Sequence, residues 1–210
     1  MLVSQHQDSI LNAVLLDAPL PPEKKFVNML NSSCNKLRHR PESVMLKFST
    51  NTSTADLTAP TVILTAGLPA AGKSSLCRHL WPDLPVLDCD DLKKDHPDFD
   101  PKRPELVHDW SKAEFEKRRL ASLDAGATHI LDSTATNVEK VAGWISEAHA
   151  AGMRVHLLMV TCDTATSIAR NEARERTVPV EVIEGKAKIV RESFAALANL
   201  ADSSEEIDNN

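Results

Sequence analysis

Six consecutive residues, Thr61-Val-Ile-Leu-Thr-Ala66, form an unbroken β-branched and apolar run that leads directly into Gly67-Leu-Pro-Ala-Ala-Gly72-Lys73-Ser74. A strand without polar alternation is buried on both faces, which is the situation of a parallel sheet covered by helices. The eight residues after it fit the pattern G-x-x-x-x-G-K-[ST], whose small residues let successive backbone N–H groups curl around phosphate oxygens. The pattern recurs by chance in unrelated chains, and it gains meaning only between a strand and a helix. Here residues 74–80 read as that helix, its positive end aimed at the same phosphates. Gly67, Ala70, Ala71, Gly72, Lys73, Ser74 and Ser75 are therefore the expected nucleotide contacts. Lys73 would reach the outer phosphates of ATP or GTP, and the Ser74 hydroxyl would ligate magnesium.

Strands and amphipathic helices alternate from there on. Short apolar runs at 86–89, 128–131 and 155–160 read as strands, and 104–123, 138–150, 164–176 and 180–200 read as helices. That alternation, behind a phosphate-binding loop, predicts an α/β, three-layer P-loop NTPase fold with a parallel sheet of about four to five strands, which the resemblance given below narrows to the kinase-like kind. Residues 59–200 form this kinase domain. Residues 1–58 read as an N-terminal helical appendage and linker, with two amphipathic stretches separated by Pro19, Pro21 and Pro22 and then a Thr- and Ser-rich segment. They carry no chemical motif and are a possible surface for a protein partner. Residues 201–210, with Asp202, Glu205, Glu206 and Asp208, read as a disordered acidic tail.

The carboxyl ends of strands in an open parallel sheet face the ligand crevice, so polar residues just beyond them are the first candidates for chemistry. The second strand runs into Asp88-Cys-Asp90-Asp91. Asp90 is placed to accept the proton of an attacking hydroxyl, with Asp88 and Asp91 as lesser candidates and one of the three capping the helical stretch that begins at Leu92. The third strand runs into Asp132-Ser-Thr134. Asp132 suits either magnesium, through water, or the acceptor, and Thr134 suits a hydrogen bond to either; Thr136 and Asn137 are the better helix caps. Arg170 and Arg174, four apart, would share a helical face, and with Arg176 they would form a mobile lid that stabilises charge on the transferring phosphoryl group. Glu172 and Glu175 stand close enough to neutralise part of that charge.

Composition narrows the partners. With 42% hydrophobic residues in 210, the chain can bury a core, and its formal net charge of −6 argues against a broad grip on nucleic acid. Two basic clusters, Lys36/Arg38/His39/Arg40 and Lys117/Arg118/Arg119, fall in segments that read as helices, where a solvated charged face is the expectation. The start, MLVSQHQDSI, lacks the basic stretch and apolar block of a signal peptide, and no apolar run approaches the roughly 20 residues a membrane span needs. A cytoplasmic protein without a membrane partner is expected. Cys34, Cys77, Cys89 and Cys162 have no metal-ligand spacing and read as reduced, mostly buried thiols.

Four elements in order, GLPAAGKSS, DCDDLKKDHPDFDP, ILDSTATN and RNEARERTVPVEVI, resemble the zeta-toxin-like and polynucleotide-kinase-like P-loop kinases over roughly residues 61–197. The resemblance implies a small kinase with ATP or GTP as donor and Mg2+ as cofactor. It assigns Lys73 and Ser74 to the nucleotide, Asp90 to activation of an acceptor hydroxyl, Asp132 and Thr134 to the acceptor side, and Arg170, Arg174 and Arg176 to the lid. Zeta-toxin relatives phosphorylate a 3′-hydroxyl of a UDP-amino-sugar, and polynucleotide kinases a 5′-hydroxyl end. The chain departs from each group once, with Asp132 where zeta toxins carry Glu and Lys93 where polynucleotide kinases carry Arg. The expected function is transfer of a γ-phosphate to a hydroxyl of a nucleotide-sugar, nucleoside or nucleic-acid acceptor. The competing reading is a nucleotide-dependent switch that acts through a partner, with little transfer activity.

Overall fold

A computed structural model describes residues 53–174 and 177–210. The N-terminal appendage apart from its final residues, the cluster around Arg38, and the candidates Glu175 and Arg176 lie outside the described residues.

Five strands form one sheet: β1 (Thr61–Ala66), β2 (Val86–Leu87), β3 (His129–Leu131), β4 (Arg154–Thr161) and β5 (Ser203–Asp208). Their order is β2-β3-β1-β4-β5, and every neighbouring pair is parallel. The helices are α1 (Lys73–Leu80), α2 (Cys89–Leu92), α3 (His108–Asp124), α4 (Val138–Ala150), α5 (Thr164–Glu172) and α6 (Val180–Ala198). From β1 the chain passes across β3 to β2, and from β3 it passes the other way across β1 to β4. Right-handed crossovers in opposite directions put α1 and α4 on opposite faces of the sheet, and they open a crevice between the carboxyl ends of β1 and β3.

The core is the centre of this sheet. All six residues of β1 are buried, and Ile63, Leu64, Ile130, Leu131, Leu157 and Leu158 have essentially no exposed surface. Each such side chain contributes about 1.5–3 kcal/mol by leaving water. The register sets the site: Leu64 pairs with Leu131 and Leu131 with Leu87. The next residues, Thr65, Asp132 and Asp88, therefore stand in a row along the carboxyl edge, and the Asp132 N–H continues the ladder to the Leu87 carbonyl at 2.9 Å.

Three expectations are corrected. Residues 201–210 are not a disordered tail, because 203–208 pair with β4 from His156↔Ser203 to Thr161↔Asp208. Acidic composition concealed the strand, since only Ile207 supplies an apolar side chain. The acid at Glu205 is instead absorbed by His156 at 3.1 Å and by the hydroxyls of Ser53 and Thr54. The helix expected over 164–176 stops at Glu172, so Arg174 lies past its end rather than on one face with Arg170. The stretch 104–123 begins with a separate 3-10 turn, Pro104–Val107, before α3.

Lys117, Arg118 and Arg119 do not form an open basic patch. Glu114 binds Lys117 and Arg118, Asp95 also binds Arg118, and Glu116 and Glu147 bind Arg119. Arg119 is buried, with its guanidinium 5.7 Å from the Trp144 ring centroid, where it joins α3 to α4. No described helix is long and apolar enough to cross a membrane.

Candidate active site

The loop between β1 and α1 holds its shape through three residues with positive φ. Gly67 (φ 133°) and Gly72 (φ 96°) adopt values that side chains oppose, and Ala70 (φ 60°) accepts a left-handed conformation unusual for a residue with a Cβ. Gly67 is doubly constrained, because a Cβ there would stand 2.3 Å from the Val160 carbonyl oxygen on β4. Its N–H donates to the Thr134 carbonyl at 3.3 Å, which ties the loop to the segment after β3. Side chains from outside the loop fasten the remainder: Ser167 on α5 donates to the Pro69 carbonyl at 2.6 Å, and Asn209 to the Ala71 carbonyl at 2.7 Å.

Lys73 opens α1 and is buried, with its ammonium donating to the Gly67 and Leu68 carbonyls at 3.2 and 2.9 Å. Burial pushes its pKa down. Asp132 opposes that shift, Arg174 adds to it, and Asp88 opposes it. Lys73, Arg174, Asp88 and Asp132 thus share one electrostatic neighbourhood. Ser74 donates to Asp132 Oδ2 at 2.5 Å, while Asp132 Oδ1 accepts from Thr65 at 2.9 Å. Thr65 also accepts from the Ser133 N–H at 2.8 Å, so Asp132 is oriented from two sides.

Asp88 is the cap of α2, accepting from the Asp90 N–H at 2.8 Å. Burial, then Asp132, then Asp91 push its carboxyl up to about 7. Asp90 is half exposed at the rim, 3.0 Å from the ammonium of the buried Lys93, and Asp91 pairs with Lys94. Nearby, the Nδ1 of His108 is buried without a hydrogen-bond partner among the described residues, and burial followed by Lys93 and Lys112 holds that imidazole below its ordinary pKa.

Arg170 is turned to the sheet, donating to the Asn209 carbonyl at 2.7 Å. The segment carrying Arg174 is closed by Asn171, whose amide donates to the Val178 carbonyl at 2.8 Å and whose carbonyl accepts the Val178 N–H at 2.9 Å. Thr134 meets a residue that periodicity did not single out: Lys186 on α6 donates at 3.0 Å to both Thr134 and Thr136. Beside Leu68 a cavity of about 210 Å³ opens at the carboxyl end of β4, lined also by Thr161, Asp163, Val190 and Arg191.

The expected residues thus separate into groups. Lys73, Ser74, Asp88 and Asp132 converge, Asp90 and Asp91 form the rim with Lys93 buried against Asp90, and Arg170 is turned to Asn209. Thr65, Ser167, Lys186 and Asn209 were missed. Only Thr65 had a local signal, as a hydroxyl inside an otherwise apolar strand one residue before the turn.

A sequence model of the zeta toxin family matches residues 46–208. The chain belongs to the zeta toxin family. No curated protein matches it in sequence. Among solved structures its fold is similar to one from the PezAT chromosomal toxin–antitoxin system of the human pathogen Streptococcus pneumoniae. That match has a TM-score of 0.62 at 15% identity and covers 88% of this chain and 78% of the other. It is also similar to the AvrRxo1-ORF1:ORF2 complex in its native form, with a TM-score of 0.56 at 15% identity over 96% of this chain, and in a form with sulphate ions, with 0.55 at 14% over 88%. The matches span 64% and 62% of those chains, less than two thirds of their length. The zeta toxin family assignment makes this chain a P-loop kinase by descent. At these identities the structural likeness itself speaks for the fold alone.

Proposed function

We propose that this zeta toxin family chain transfers the γ-phosphate of ATP, or of GTP, to a hydroxyl of a nucleotide-sugar, nucleoside or nucleic-acid acceptor. The observation that carries the reading is the contact between Ser74 and Asp132 at the mouth of a loop that also buries Lys73. A hydroxyl and a carboxylate side by side are hard oxygen donors suited to magnesium, which would sit on Ser74 and Asp132 and neutralise charge on the outer phosphates.

The chain's own groups account for the other steps. The N–H groups of 67–75 and the Lys73 ammonium cradle the donor phosphates, and Lys73 exchanges its carbonyl partners for phosphate oxygens. Asp90 accepts the proton of the acceptor hydroxyl as that oxygen bonds to the γ-phosphorus and the bond to the β–γ bridging oxygen breaks, releasing the nucleoside diphosphate. Lys93 holds the Asp90 carboxylate in place from beneath. Arg174, already within the field of Lys73, stabilises the equatorial oxygens. Arg170 acts with it after exchanging the Asn209 carbonyl. The relatives' toxin–antitoxin and two-component complexes support a protein partner for this chain as well.

The test is incubation with magnesium and γ-labelled ATP against UDP-sugars, nucleosides, and DNA and RNA with free 5′-hydroxyls. Label is expected on one acceptor class and is expected to vanish in Lys73→Ala and Asp90→Asn, with Asp90→Asn retaining ATP affinity. Tight ATP binding with no transfer to any acceptor would refute the kinase reading in favour of a switch.

A further inference from the structure

We propose that Lys186 is an anion-binding residue of the crevice, and that it receives a phosphate group carried by the acceptor. Lys93, Lys94, Lys112, Lys117 and Lys140 each lie within 4 Å of a carboxylate. Lys186 differs: its ammonium is half-buried and donates to two neutral hydroxyls, those of Thr134 and Thr136 at 3.0 Å each. Burial lowers its pKa, with no charged side chain among the described residues acting on it. A partly desolvated cation without a counter-ion is unfavourable unless an anion completes it. Lys73 in the phosphate-binding loop also donates to neutral oxygens, with Asp132 and Asp88 acting on it from nearby.

The surroundings are built for this. Thr134 and Thr136 are brought to 3.1 Å of each other by Ala135, which adopts a left-handed φ of 53° between them. Such a conformation in a residue with a Cβ is a local cost that the surrounding structure has to hold in place. Ser133 helps to hold it, accepting the Ala135 N–H at 2.9 Å. Two of the three ammonium protons are used by the threonines, and the contact between the two hydroxyls uses the proton of one of them, so one ammonium proton and one threonine proton are left to donate. One oxyanion can therefore receive donors from two side chains, Lys186 and one threonine. The resemblance assigns this position to the acceptor side: Thr134 lies two residues beyond Asp132, and its carbonyl holds the first loop residue, Gly67. Neutral nucleosides lack the group this site would bind, so the proposal narrows the acceptor to phosphate-bearing molecules.

The assignment to the acceptor rests on the kinase reading, and the experiment separates the two. Protein saturated with magnesium and a non-hydrolysable ATP analogue, which fills the donor loop, is titrated with inorganic phosphate by calorimetry. Saturable phosphate binding is expected for wild type, weakened about tenfold or more in Lys186→Met and largely restored in Lys186→Arg, about 1.4 kcal/mol per tenfold step. Affinity for the ATP analogue and the melting temperature should stay near wild type in both variants. Thr136→Val, which removes one hydroxyl and keeps the lysine, should give an intermediate loss. Absence of saturable phosphate binding to wild type, or undiminished binding in Lys186→Met, would overturn the proposal. So would a parallel loss of analogue affinity and thermal stability, since Lys186 would then be a strut between α6 and the 134–136 turn. Failure of the analogue to bind at all sinks the kinase reading, and phosphate affinity of wild type against Lys186→Met still decides the anion site.

Discussion

At the scale of single residues, the site is a set of charges held closer than water would allow, and the strain is visible in Asp88. Its carboxyl is raised from 3.8 to about 7 by burial, Asp132 and Asp91. A group with a raised folded-state pKa holds its proton more tightly folded than unfolded, so its contribution to stability is complete below about pH 4 and is lost as pH rises to about 7. Asp88→Asn keeps the cap on the Asp90 N–H while removing the charge. It should match wild type in Tm near pH 4 and exceed it near pH 8; equal values at both would show that the carboxyl ionises without penalty. Gly67 has the least latitude. Gly67→Ala adds a methyl 2.3 Å from a β4 carbonyl at a φ of 133°, and urea denaturation should register a loss of about 3 kcal/mol or more. The sequence disclosed Lys73, Ser74, Asp88 and Asp132 because each adjoins a buried strand in a fixed chemical pattern. Lys186 and Asn209 were not legible: each acts through contacts 39 or more residues away, and no local periodicity encodes them.

At the scale of elements, helix starts were easier to read than helix ends. Asn137 caps α4 through the Lys140 N–H at 3.0 Å, as its residue type suggested. The end of α5 was missed, because helical periodicity continues to Arg176 while Asn171 turns inward and binds Val178 on both sides of its amide. Asn171 is buried, so Asn171→Ala leaves a polar pair unsatisfied and should cost about 1–3 kcal/mol. Limited proteolysis between residues 172 and 179 should then be faster than in wild type, and unchanged cleavage would show that other contacts close the segment. Asn209→Ala releases the Ala71 carbonyl and keeps the backbone carbonyl that holds Arg170. The expected outcome is a several-fold rise in the KM for ATP with the fold retained by circular dichroism.

At the scale of the whole molecule, the alternating strands made the parallel sheet legible, and acidic composition hid its fifth strand. The two readings of 201–210 differ sharply in consequence. As a tail it could be removed freely; as β5 it covers an edge of β4 and brings Glu205 onto His156. A stop codon at position 201 should therefore give protein that is insoluble or lacks a cooperative thermal transition, whereas a soluble, ATP-binding product would contradict that role. Separation along the chain adds a temporal dimension. The Ala71 carbonyl waits for a side chain 138 residues downstream. Synthesis proceeds from the N-terminus, so the first strand and its loop leave the ribosome long before the group that fastens them. A nascent chain stalled anywhere upstream of codon 209 carries an unfinished nucleotide loop, and the cell translating it is exposed to the completed enzyme only after that segment clears the exit tunnel.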